Sequence, residues 1–170
     1  IIDQHALHER VMYEHLKERI TEGPLEGQRL LLPETVHVTP KQAALLEGNG
    51  ELLARLGVEV SSFGPYAVAV QGFPALLKDT DVPSFVRDLL DLLESQPVSG
   101  EAGDQMGQAA TAEVVIHKVL DMMACKAAVK AGDALTPEEI EALLAKRHLI
   151  DKSTSCPHGR PTMLRLTKAD

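Results

Sequence analysis

Apolar residues recur along this chain at two spacings. Over residues 4–20 the period is helical: Ala6, Val11, Met12 and Leu16 share one face, while Glu9, Arg10, Glu14, Lys17 and Glu18 supply charge. Gly23-Pro24 ends that helix. Residues 28–38 read as extended, with Leu30, Leu31, Leu32, Val36 and Val38. Pro33 inside that run marks an edge or a break, because proline cannot donate to a strand ladder. Thr39-Pro40-Lys41-Gln42 has the residues of a helix start. That helix is expected to reach Leu56, with an interruption at Gly48-Asn49-Gly50 and closure at Gly57. Residues 58–63 and 66–73 predict a hairpin about Gly64-Pro65. Pro83 opens a helix to about Ser95 that buries Phe85, Val86, Leu89, Leu90 and Leu93.

Residues 96–107 carry Pro97, Ser99, Gly100, Gly103 and Gly107 with few apolar positions, and read as a mobile linker. A long helix is predicted over 108–130, ended by Gly132. Thr136-Pro137-Glu138-Glu139 starts another, with Glu139 placed for a capping box, ending near His148. Residues 151–160 are polar and irregular, and 161–167 look like a final strand. The opening Ile1-Ile2-Asp3, without Met, reads as the end of a buried strand cut from a longer parent. The order of elements predicts a mixed α+β chain in two parts.

Composition narrows the function classes. The chain has 170 residues, enough for one domain or two small subdomains. With 17 Lys+Arg against 25 Asp+Glu the formal charge is −8, so unaided tight gripping of a DNA backbone is not expected. Aromatics are 3% with no Trp, which argues against base-stacking platforms. No apolar run approaches the roughly 18 residues of a membrane span. Two cysteines make no disulfide framework, and a reducing cytoplasm is the expected setting.

Three segments could carry chemistry. Asp3, His5 and Glu9 lie at a helix start, and the four-residue spacing of His5 and Glu9 lets both reach one cation. The plainer alternative is a solvated helix start with acids near the positive end of the dipole. Cys156 and His158, two apart in a loop held by Pro157, Gly159 and Pro161, form a sulfur–nitrogen clip suited to zinc. A polar turn with a chance cysteine, or a Cys–His hydrolase, are the other options. Cys125, between Ala124 and Lys126 on the long helix, reads alone as a small core residue. His15, His37, His117 and His148 each stand alone and read as surface or satisfied core residues.

Taken together these segments resemble one family. Asp3-Gln4-His5-Ala6-Leu7-His8-Glu9 followed by Glu14 matches the D-Q-H-A-x-x-E-x-x-x-x-E motif of the MutL-type mismatch repair proteins. Ala124-Cys125-Lys126 resembles their A-C-[RK] element, and Cys156-Pro157-His158-Gly159-Arg160-Pro161 their C-P-H-G-R-P element. Gln28, Leu31 and Pro33 fit their Q-x-x-L-x-P segment, which binds the replicative sliding clamp. The resemblance spans nearly the whole chain, with the motifs in family order.

The resemblance implies a two-lobed α+β fold and a homodimer. Residues 1–22 and 108–170 would form the dimerisation lobe with the metal site, 23–96 an inserted external regulatory lobe, and 97–107 the linker. It implies a latent metal-dependent endonuclease that nicks duplex DNA, binding it weakly on its own. In this picture His5, Glu9, Cys125, Cys156 and His158 are metal ligands, Asp3 and Glu9 are catalytic, and Glu14 supports the site. Lys126 and Arg160 are candidates to meet phosphate, with salt bridges to Asp3 or Glu14 as the alternative. Sulfur ligands point to Zn2+, and phosphate activation to Mn2+ or Mg2+. ATP would enter only through an N-terminal module of the parent, and a mismatch-recognition protein would be a further partner. The rival expectation is a non-catalytic dimerisation and matchmaker module with a structural zinc site.

Overall fold

The computed structural model describes residues 1–95, 105–130, 132–147 and 155–163, and for 105–112 and 147 the backbone alone. It is a mixed α+β structure that divides into two compact units. Unit one comprises Ile1–Glu18 and Leu120–Asp170, and unit two Arg19–Val119.

Unit two holds the only sheet strands named among the described residues: β1 (Gly27–His37), β2 (Glu59–Ser62) and β3 (Ala67–Pro74). Their order is β1-β3-β2 and both pairings are antiparallel, so β3 lies in the middle. That position explains its composition. Val68, Ala69 and Val70 are consecutive and all buried, as a strand with both faces covered requires. β1 and β2 form the two edges.

The leucine run in β1 is not core. Leu31 is fully exposed and Leu32 is 81% exposed, and only Val36 in this strand is buried. The register of β1 on β3 shifts between Arg29 and Glu34, around Pro33. Proline removes a ladder donor there, and the ladder does not run through the segment in one register.

The predicted helix after Thr39 is two helices, α2 (Pro40–Gly48) and α3 (Gly50–Arg55), parted at Asn49. Thr39 and Gln42 form a reciprocal capping box at the start of α2. After α3 the chain turns at Gly57, whose φ of +75° disfavours any side chain. Gly27 passes so close that a Cβ there would stand 2.7 Å from the Gly57 carbonyl oxygen. Strand β2 therefore begins at Glu59 rather than Val58. A 3-10 turn (Ala75–Leu77) leads to α4 (Val82–Glu94), capped by the Asp81 carboxylate on Ser84 N–H. Its buried face holds Phe85, Val86, Leu89, Leu90 and Leu93, and Phe85 meets Phe73 of β3 edge to face at 5.1 Å.

Two long helices are shared along the chain. The helix α1 spans Gln4–Glu22 and α5 spans Gln105–Ala127. The predicted 97–107 linker thus gives way to helix from Gln105, and its earlier residues lie outside the described ones. In unit one, α1 buries Ala6, Leu7, Val11 and Leu16, with Leu7 rather than the half-buried Met12 on the inner face. The end of α5 buries Leu120, Met123 and Ala124. The helix α6 (Pro137–Arg147) starts at a Thr136–Glu139 capping box. Its predicted final residue, His148, lies outside the described residues. Of the final strand only its beginning is described, as the isolated bridges Ile2–Met163 and Ser155–Pro161.

Phe85 has no exposed surface and anchors α4 on the sheet. Phe85→Ala should cost about 3–5 kcal/mol in a denaturant melt of the chain. A loss below about 1 kcal/mol would mean that the α4 face is not the core of this unit.

Candidate metal centre

Three segments of unit one converge on one carboxylate. Glu9 lies on α1 and is only 2% exposed, although the sequence pattern places it on the charged side of that helix. His158 Nδ1 donates to Glu9 Oε1 at 2.6 Å. The Cys125 and Cys156 thiols lie close enough to interact with the Glu9 carboxylate. Donor atoms of Glu9, Cys156 and His158 all lie within 4.8 Å of one another. The carboxylate is thus ringed by groups 116 to 149 residues away in sequence.

The loop around Cys156 is built to hold its sulfur. Cys156 N–H donates to Arg160 O at 2.8 Å and Gly159 N–H to Cys156 O at 2.9 Å, closing a tight turn. Gly159 has φ +81°, which a side chain would resist. Backbone N–H groups of Arg160 and His158 donate to the sulfur. Burial, and then hydrogen bonding to Glu9, nevertheless push the Cys156 thiol up, against those amides. For Cys125, burial and then the charge of Glu9 push the thiol up, while Arg160 and Lys126 pull it down. Cys125 is exposed as a residue, and its sulfur is still turned to Glu9, so it is not the small core residue that its sequence context allows. Raised thiols are the reverse of what a nucleophilic cysteine needs, which weighs against the Cys–His hydrolase option.

The donor set suits a borderline-soft divalent cation. Two sulfurs, an imidazole and a carboxylate are zinc ligands by type, and a buried carboxylate gains from a positive partner. Protons now link these groups, and a cation would replace them.

Asp3 is exposed, and its Oδ1 accepts from Ala6 N–H at 3.0 Å, which is an N-cap of α1. Asp3 N–H also donates to Thr162 O at 3.0 Å, which ties α1 to the Cys156 loop. His5 Nδ1 donates to Val129 O at 2.8 Å, and this leaves Nε2 as its lone-pair atom. Glu14 is engaged on its own helix: its Oε1 accepts from Arg10 Nη2, one turn away on α1. Arg10 is buried and stacks over Tyr13 at 5.4 Å. Lys126 and Arg160 lie close enough to Cys125 for their charges to act on it. Gln28, Leu31 and Pro33 are exposed on β1 of unit two.

One residue escaped the sequence reading. His8 is part-buried and its Nδ1 accepts from Val129 N–H at 3.1 Å. Burial, then the charges of Lys146 and His5, hold it below the usual imidazole range, so it is neutral and able to accept. Its only signal in sequence is its place one residue before Glu9.

Residues 1–135 match the family model described as the MutL C terminal dimerisation domain. The chain is 41% identical over 167 residues to the DNA mismatch repair protein MutL of Geobacter sulfurreducens, covering 98% of this chain and 26% of that protein. Against the protein of the same name from Phenylobacterium zucineum, identity is 41% over 170 residues, 100% of this chain and 26% of the relative. Against that from Brucella abortus it is 40% over 170 residues, with the same coverage. The chain spans about a quarter of the length of these relatives.

The cap at Asp3 separates fold from chemistry. Asp3→Ala should cost about 0.5–2 kcal/mol of stability, and Asp3→Asn close to nothing, because Asn caps as well as Asp. Thermal melts of the two variants check this. Equal melting of Asp3→Ala and wild type would remove the capping role.

Proposed function

The chain belongs to the MutL family, and from that premise we propose that it is a metal-dependent endonuclease domain that nicks duplex DNA in mismatch repair. The observation that carries this reading is the convergence of Glu9, Cys156 and His158, with the Cys125 thiol on the same carboxylate. In the proposed site these four residues, with His5 through Nε2, hold Zn2+. Asp3 at the start of α1 offers oxygen to a harder ion, Mn2+ or Mg2+. A bound divalent cation supplies positive charge against the phosphodiester in its transition state and lowers the pKa of an attacking water.

The protein's own residues have separate tasks. Glu9 holds the site together from inside, and Glu14 supports α1 through Arg10. Lys126 and Arg160 bring positive charge beside Cys125, where a phosphate would be met. The charge distribution favours this unit. Unit two carries seven Lys/Arg against 14 Asp/Glu, while unit one carries ten against eleven. Nearly all the net −8 therefore belongs to the unit without the metal centre. Unit one is close to neutral, and DNA binding remains weak without partners.

The partners follow from the same reading. The domain acts as a homodimer in the bacterial cytoplasm. Gln28, Leu31 and Pro33 dock on the replicative sliding clamp, a role that explains why a leucine stands fully exposed on an edge strand. A mismatch-recognition protein directs it, and ATP acts through an N-terminal module of the longer protein. With no base-reading element among the motifs, cleavage is sequence-independent and tethering supplies local concentration.

Nicking of supercoiled plasmid with manganese and the clamp tests the enzyme. Wild type is expected to nick, and Asp3→Asn to fall to background while melting like wild type. Equal nicking by both would leave the non-catalytic matchmaker with a structural zinc as the reading to keep. The clamp assignment is tested separately by surface-immobilised clamp. Gln28→Ala with Leu31→Ala should abolish binding and leave zinc content unchanged. Undiminished clamp affinity would withdraw that motif from the account.

A further inference from the structure

The proposed centre needs Cys125 held at a fixed distance from Glu9, yet α5 ends only two residues later, at Ala127. A helix end leaves backbone groups without helical partners and frays unless something caps it. Here the groups just past the end are taken by side chains of another helix. Gln4 Nε2 donates to Lys130 O at 3.2 Å and to Asp133 O at 2.8 Å. His5 Nδ1 donates to Val129 O at 2.8 Å, and Val129 N–H donates to His8 Nδ1 at 3.1 Å. Both backbone polar groups of Val129 are thus taken by α1. Gln4, His5 and His8 are spaced by one and by four, so they project from neighbouring positions at the start of α1. Glu9 follows His8 directly on the same helix.

Val129 is four residues after Cys125 and two past the end of α5. A cysteine has a single side-chain torsion before its sulfur, so for a given rotamer the sulfur moves with the backbone. We infer that Gln4 and His8 are positioning residues that strap the end of α5 to the first turns of α1 and so hold the Cys125 sulfur on Glu9. His5 serves both parts, since its Nδ1–H is spent on the strap and its Nε2 is left for a ligand. Metal-binding imidazoles are commonly oriented in this way by a carbonyl on the other ring nitrogen. The inference rests on the metal reading proposed above, and adds to it two residues that are not ligands.

The experiment uses the whole chain with cobalt(II) as the probe. Sulfur-to-cobalt charge-transfer absorption, per bound cobalt, reports how many thiolates ligate. Wild type should show the two-sulfur intensity and Cys125→Ser about half. His8→Leu removes the acceptor, and Leu135, Ala142 and Leu143 line a cleft of ≈ 180 Å³ beside position 8 that gives the new side chain apolar neighbours. His8→Leu and Gln4→Leu should both fall toward the Cys125→Ser intensity and bind cobalt about 10–100-fold more weakly. His8→Asn should restore the wild-type spectrum, because Asn Oδ1 can accept the Val129 N–H. Full two-sulfur intensity in His8→Leu, whatever its melting temperature, overturns the inference.

Absence of any sulfur band in wild type would instead sink the metal reading, and the strap would then be judged without metal. Alkylation of Cys125 by iodoacetamide, followed by peptide mass, should be faster in His8→Leu and unchanged in His8→Asn. Equal rates in wild type and His8→Leu overturn the strap in that case as well.

Discussion

Unit one is organised around a carboxylate that has no water to dissolve it. Glu9 is 2% exposed, and burying an ionised carboxyl costs several kcal/mol unless partners offset it. The partners are an imidazole and two thiols, none of which comes from the same helix. Two backbone devices deliver them: the Cys156–Arg160 turn, which carries both Cys156 and His158 and is tied to α1 by the Asp3–Thr162 bond, and the end of α5, which carries Cys125. Local order at three distant stretches therefore depends on one side chain. This also explains how residues 9 and 158 can form a single centre although Arg19–Val119 is a unit that closes on its own core. An insertion with its own core adds little to the closure entropy of the loop it occupies, because loop cost grows only slowly with length.

The same division changes the meaning of the acidic composition. A net charge of −8 spread evenly would oppose DNA everywhere. Unit two carries almost all of it, and the residues nearest the Glu9 centre include Lys126 and Arg160, whose charges reach the Cys125 thiol. Fields between exposed charges fade over about 8–10 Å at physiological salt, so local sign matters more than the total. Overall charge thus opposes unaided tight gripping of DNA and leaves a local site open.

Much of the fold was legible because local rules acted alone. The capping boxes at Thr39–Gln42 and Thr136–Glu139, the interruption at Asn49 and the buried face of α4 followed from residue type and period. Failures came where tertiary context overrode them. The leucine run at residues 30–32 is not among them: the edge or break expected at Pro33 is where the register shifts, and Leu31 and Leu32 lie in water. Glu9 sits on what charge pattern makes the wet face, and its burial is settled by partners more than 100 residues away. The two units part inside α1 and α5, where no glycine or proline marks the division. The Cys125–Glu9–His158 grouping came from family resemblance, since spacing alone ties only Cys156 to His158 and His5 to Glu9. The strap on Val129 had no legible signal, because its receiving atoms are backbone and every residue has those.

Asp3 shows how a plain reading and a functional one can hold together. The expectation of an acid satisfying a helix start is met: Oδ1 takes the Ala6 N–H, where the dipole favours negative charge. A carboxylate has two oxygens and about four lone-pair sites, so a cap spends one quarter to one half of its capacity. Capping also fixes the group's direction, because the bonded oxygen cannot rotate away without releasing the amide. The neighbouring Asp3 N–H bond to Thr162 O holds the backbone of the same residue against the segment that carries Cys156. A hard oxygen donor, oriented by its own helix and tethered to the Cys156 loop, is what the proposed two-cation site would ask of Asp3. The cap is therefore the means by which Asp3 is aimed, and Asn at that position keeps the aim while losing the charge.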